Sequence, residues 1–90
     1  MSSPNQESLR ELLQRVHERL RGAEKVEAKT RESLIALTQD IERTLAGERP
    51  ARREPTVPRL EALAVRFEAS HPALAGALRQ LVDALGKAGI

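Results

Sequence analysis

Apolar residues recur along three stretches of this chain with the spacing of a helix face. In the first, Leu9, Leu12, Leu13, Val16 and Leu20 fall at offsets of 0, 3, 4, 7 and 11, which is one stripe of an α-helix. Ser3 can serve as its N-cap, Pro4 suits its first turn, and Gln6 completes a capping-box pattern. Gly22 is a natural stop. Glu11 and Arg15, one turn apart on the polar side, add about 0.2–0.5 kcal/mol. A second helix begins between Glu24 and Thr30. It carries Leu34, Ile35, Leu37, Ile41 and Leu45 on its apolar face and ends at Gly47 and Pro50. The short link from Gly22 to Val26 predicts that these two helices form an antiparallel hairpin.

The final third repeats every seven residues. Leu60, Phe67, Leu74 and Leu81 form one series, and Ala64, His71, Leu78 and Leu85 form another, offset by four. Together they make a two-position heptad seam. Pro72 interrupts it, because a proline inside a helix lacks the amide donor and clashes with the carbonyl four residues back. A break near Ser70 is therefore expected, with Ser70 capping the restarted helix and Pro72 in its first turn. The preserved register says that both halves bury related faces. It leaves open whether they are collinear or folded back. Gly89 can take the left-handed conformation past the last turn, which would let Ile90 touch Leu85.

Residues 47–58, GERPARREPTVP, hold three prolines and one glycine and read as a connection. Thr56 or Val57 is the candidate cap of the helix beyond, with Pro58 in its first turn. The predicted fold is all-α and one domain. It comprises a helical hairpin over residues 1–46, a Pro/Arg-rich linker over 47–58, and proline-broken C-terminal helices over 59–90. Together these form a small helical bundle completed by dimerisation.

Composition supports this and narrows the chemistry. Leucine and alanine dominate the apolar residues and Phe67 is the single aromatic, a balance that favours helix over sheet. A charged fraction of 31% beside a hydrophobic fraction of 40% fits neither a membrane chain nor a disordered one. The N-terminus has no basic region followed by an apolar run, and no stretch approaches a membrane span. Cysteine is absent, so there is no disulfide, thiolate ligand or cysteine nucleophile. That agrees with a reducing compartment, and a cytoplasmic location is expected. The formal charge of +2 arises entirely between residues 47 and 59, where Arg49, Arg52, Arg53 and Arg59 outnumber Glu48 and Glu54. The helical parts are balanced.

The stretch FEASHPALAGALRQLVDALGKAGI, Phe67 to Ile90, resembles the C-terminal signature of a small bacterial family catalogued as domain of unknown function 4404. LRELLQRVHERL followed by SLIALTQDIERTL resembles the first half of the same family. The resemblance spans nearly the whole chain and is most specific in Phe-Glu-x-x-His-Pro and the terminal Gly-Ile. It implies a short helical bacterial protein. It implies no activity, cofactor or catalytic residue.

The residues themselves offer few candidates for chemistry. His71, before Pro72, would be a ligand or pH-sensitive group if it were not hydrogen-bonded to local backbone, and the latter is expected. His17 lies at the edge of the first apolar stripe. A metal site pairing it with His71 would need help from Glu18 or Glu68, and such sites are usually richer in ligands. The acidic residues are spread over polar faces. Ser2, Ser3, Ser8, Ser33 and Ser70 sit at helix ends and in no nucleophile-elbow pattern. Gly76, Gly86 and Gly89 form no phosphate loop. No catalytic residue, metal, cofactor, small-molecule substrate or membrane contact is expected, and the chain is not expected to be an enzyme.

Two interaction surfaces remain. Leu60, Phe67, Leu74, Leu78, Leu81 and Leu85 supply a heptad seam able to pair with a second copy by two-fold symmetry, so a homodimer is expected. Arg49, Arg52, Arg53 and Arg59 could contact an acidic partner or phosphates. Nucleic acid is not the expected partner, since the cluster is short, holds two glutamates and lacks an aromatic platform. The leading functional expectation is a non-enzymatic helical interaction or structural module, with an unidentified protein partner. The alternative is an accessory factor that binds nucleic acid or an acidic partner through the arginine-rich linker.

Overall fold

The computed structural model of the chain describes residues 4–47 and 56–88. These form four helices, α1 (Pro4–Gly22), α2 (Ala28–Leu45), α3 (Thr56–Phe67) and α4 (Pro72–Lys87), with no strand among the described residues. Each helix packs on two others, in the cyclic order α1–α2–α3–α4–α1. Pairings between helices fix their directions. Across α1 and α2, His17 meets Thr38 and Leu20 meets Arg31; across α1 and α4, Arg15 meets Gln80 while Gly22 lies by Pro72; across α2 and α3, Thr30 lies by Phe67 and Leu37 by Arg59; and α3 and α4 are joined by the short turn from Phe67 to Pro72. Neighbours therefore run antiparallel, giving an up-down-up-down four-helix bundle.

The expected helical stripes become one core. Leu9, Leu13, Val16 and Leu20 of α1 meet Leu34, Leu37 and Ile41 of α2, Leu60, Leu63, Ala64 and Phe67 of α3, and Leu74, Leu78, Leu81 and Leu85 of α4. Two stripe residues sit at its margin. Leu12 is half-buried and Ile35 is 38% exposed. Ile35 follows Leu34, and the 100° step of an α-helix carries it off the core and onto the outer flank of α2. α4 lies close to α1 and α3 along most of their lengths, while α2 approaches its neighbours at fewer positions. Ala75 and Ala77, both buried, bring the α4 backbone near its partners, because small side chains permit shorter interaxial distances.

The helix ends follow local chemistry with some differences from expectation. Gly47 takes φ of +86° after the C-cap Ala46, and its amide donates to the carbonyl of Thr44 at 3.1 Å. This left-handed stop suits glycine, which has no Cβ to clash. α1 and α2 are joined by a turn in which Lys25 adopts φ of +61°, an uncommon conformation for a residue with a side chain. Thr56 is the first helical residue of α3, so Thr56, Val57 and Pro58 belong to its first turn. Ser70 does not cap α4. The residue before Pro72 is pushed towards extended geometry by the proline ring, and His71, at φ −139° and ψ 69°, is the N-cap, without a side-chain cap bond. The proposed caps Ser3 and Gly89–Ile90 lie outside the described residues, as does most of the linker, including Pro50.

The break at Pro72 decides the fold of the final third. α3 ends at Phe67 and α4 starts at Pro72, and the two helices fold back on one another. The heptad seam is thereby cut in two, and its halves face each other. All six seam residues named above are within 4% of complete burial in the single chain. They are core side chains here, because folding back supplies from the same chain the apolar surface that a second copy would have supplied.

Candidate functional site

The side chains with the most chemical potential are used to fasten helices. Thr38 is fully buried, and its hydroxyl donates to the carbonyl of Ile35 at 2.7 Å. A hydroxyl has one proton to give, so the contact between Thr38 Oγ1 and His17 Nε2 at 3.0 Å has His17 as donor. Glu42 Oε1 stands 3.9 Å from the same nitrogen. This hydroxyl, imidazole and carboxylate are not a nucleophilic relay. Such a relay needs the hydroxyl and the carboxylate on opposite ring nitrogens and an exposed hydroxyl whose proton the imidazole accepts.

His71 works just past the C-terminal end of α1. Its Nε2 donates to the carbonyl of Glu24 at 2.7 Å. With Nε2 carrying the proton, Nδ1 of the neutral ring accepts from the Ser70 hydroxyl, 3.0 Å away. The ring also meets the Phe67 ring edge-on, with centroids 5.7 Å apart and planes at 83°. His71 thus bonds a backbone group 47 residues distant, where local backbone was expected. Arg31 completes this end, donating to the carbonyls of Leu20 at 3.2 Å and Ala23 at 3.3 Å. The Leu20 carbonyl also accepts from the Ala23 amide at 3.2 Å, and Arg31 adds a donor at a helix end, where carbonyls lack the donor four residues on. Replacing His71 with alanine is expected to cost about 1 kcal/mol. The loss should speed amide exchange selectively at residues 24–28, leaving the α1–α4 centre protected, and exchange followed by NMR reads both regions.

His17 and His71 have separate partners. Of the carboxylates that would have joined them, Glu68 pairs with Arg79 at 3.2 Å and Glu18 lies beside the α1–α4 furrow. No three His, Cys, Asp or Glu side chains gather to hold a metal ion among the described residues. No buried side-chain nitrogen or oxygen among them lacks a partner.

The concave features are furrows between helices, open to solvent. One lies between α1 and α4, encloses about 540 Å³, and is lined by Ser8, Glu11, Leu12 and Arg15 facing Gln80, Asp83, Ala84 and Lys87. It continues past Arg15 towards Gly22 and Pro72. Its charges are mixed and partly engaged: Lys87 pairs with Asp83 at 3.2 Å, and Arg15 donates to Gln80 at 3.4 Å. A second, of about 300 Å³, lies between α2 and α3 and is lined by Ser33, Leu37, Arg59, Ala62, Leu63 and Arg66. The sequence-predicted surfaces are therefore redistributed. The seam leucines are inside, Arg49, Arg52 and Arg53 lie outside the described residues, and Arg59 is half-buried beside the α2–α3 furrow. Arg31 and Arg66 were missed. Nothing in the sequence marks Arg31, whereas the seven-residue spacing of Arg59 and Arg66 was readable, since the cap expected at Thr56 or Val57 already puts both on one helix.

No helix among the described residues is long and apolar enough to cross a membrane. Comparison with curated proteins and with solved structures gives no match. The residues that carry the earlier resemblance, Phe67, Glu68, His71, Pro72 and the leucines of α4, form the fold-back joint and the leucine face that α4 gives to the core. The model of the family described as Domain of unknown function (DUF4404) matches residues 9–90, and the chain belongs to that family.

Proposed function

We propose that this chain is a non-enzymatic helical interaction module whose partner docks in a furrow between its helices. The observation that supports this is the set of open furrows between neighbouring helices, among them those of α1–α4 and α2–α3, each lined from two antiparallel helices at one-turn intervals. Such grooves are complementary to the ridge of a further helix. The polar groups that would otherwise suggest chemistry, His17, Thr38, His71 and Arg31, hold the bundle together. A homodimer, if formed, uses a face other than the buried seam, and light scattering against the 9.9 kDa monomer reads it. The reading takes the cytoplasm as its setting, for which cell fractionation is the check.

The test is affinity purification of the tagged chain from its source cell. It is run beside folded variants altered in one furrow at a time, Glu11→Arg with Asp83→Arg for α1–α4 and Arg66→Glu for α2–α3. The expected result is a protein recovered in near-stoichiometric amount and lost with one variant only. Recovery of nothing, or of proteins indifferent to every variant, would overturn the reading.

A further inference from the structure

We propose that the α2–α3 furrow is a docking site for an acidic amphipathic helix of another protein. This rests on the interaction role proposed above and names its surface and partner chemistry. The floor is apolar, formed by Leu37, Ala62 and Leu63. Its α3 rim carries Arg59 and Arg66, two helical turns and about 10 Å apart. On the α2 rim, exposed Lys29 stands one turn before Ser33. Asp40, seven residues after Ser33 and on the same side of α2, is 8% exposed, and its carboxylate offsets one of the three positive charges of the rims, which stay cationic on balance. Exposed Glu32 neighbours Ser33 but lies 100° further round α2, away from the floor. The α1–α4 furrow, by contrast, mixes Glu11 and Asp83 with Arg15 and Lys87 and favours neither sign.

A cationic rim over an apolar floor selects the occupant. A helix with a small apolar stripe flanked by carboxylates seven residues apart would bury the stripe and place its charges near the two arginines, whose guanidinium groups suit carboxylate pairing. A second copy is disfavoured, since packing this furrow on itself by two-fold symmetry would set arginine rims against each other. Nucleic acid would gain nothing from the apolar floor and finds no aromatic side chain on which to stack. Arg59 already has an interaction within the chain, so Arg66 is the residue through which recognition is tested.

The probe is a synthetic helical peptide with an alanine–leucine stripe flanked by glutamates seven residues apart. A matched peptide carries lysine at those positions, and a short oligonucleotide is the third ligand. Binding is followed by fluorescence anisotropy and by NMR shifts of the full chain. The glutamate peptide is expected to shift the amides of Ser33, Leu37, Ala62 and Leu63, and to bind at least about tenfold more weakly at high salt. Arg66→Glu should weaken it by about tenfold or more and Arg66→Gln by less, with circular dichroism unchanged in both. Glu11→Arg should have no effect. The proposal is overturned by equal binding of the two peptides, by binding indifferent to Arg66, by an oligonucleotide that displaces the peptide, or by no furrow shifts at millimolar peptide. If a cellular partner is instead lost on altering the α1–α4 furrow, this proposal fails while the interaction role stands. If no furrow variant affects any partner, the interaction role itself fails.

Discussion

Leu78→Asp is expected to leave the chain unfolded at room temperature. Leu78 is fully buried near the middle of α4, the helix that packs along both α1 and α3. Truncating such a leucine to alanine costs about 2–5 kcal/mol. The aspartate adds a carboxylate with no cation beside it, and an unpaired buried charge costs several kcal/mol more. A domain of this size has roughly 5–13 kcal/mol of stability in all, so the combined loss is comparable to the whole. The far-UV circular dichroism of a helical protein should collapse. Because the seam is buried within one chain, the outcome is unfolding of the monomer, not dissociation of a folded pair. A variant that kept its helical signal and cooperative melting would contradict the central position of α4.

Phe67→Ala is expected to lower the melting temperature by more than about 10 °C, from a loss of about 3–5 kcal/mol. Phe67 is the last residue of α3 and is 4% exposed. It fills the corner where the chain folds back, and its ring supports that of His71. The truncation leaves a cavity there and removes one wall of the His71 site, so amide exchange at residues 24–28 should rise as well. Phe67→Leu keeps most of the volume and should cost less than about 1.5 kcal/mol. Thermal melts of the two variants separate a packing role from a requirement for the aromatic ring. Equal losses would mean that the ring contact, and not the volume, carries the stability.

Much of the fold was legible because helix periodicity is a local signal. The stripes Leu9–Leu20, Leu34–Ile41 and Leu60–Leu85 mark the buried faces, and Gly47 and Pro72 mark ends for reasons written in their own covalent structure. What misled was also local. Ile35 looks like a stripe residue until the helix is oriented, and Ser70 looks like a cap until the proline constraint hands that position to His71. The candidate sites were less legible. A seam of leucines has the same spacing whether its complement comes from the same chain or from another, so burial inside the monomer could not be told from dimerisation. Arg66 gained its place in a furrow only once α2 lay beside α3.

The sequence by itself determined four amphipathic helices, the stops between them and a core in which leucine predominates, because these depend on spacing along one stretch of chain. The tertiary structure alone decided that the helices after Thr56 fold back at Pro72, and that His71 reaches Glu24. It alone turned the heptad seam inward and left the furrows as the open surfaces. Each of these joins residues far apart in sequence, and a pairing between distant residues is set by how the elements pack.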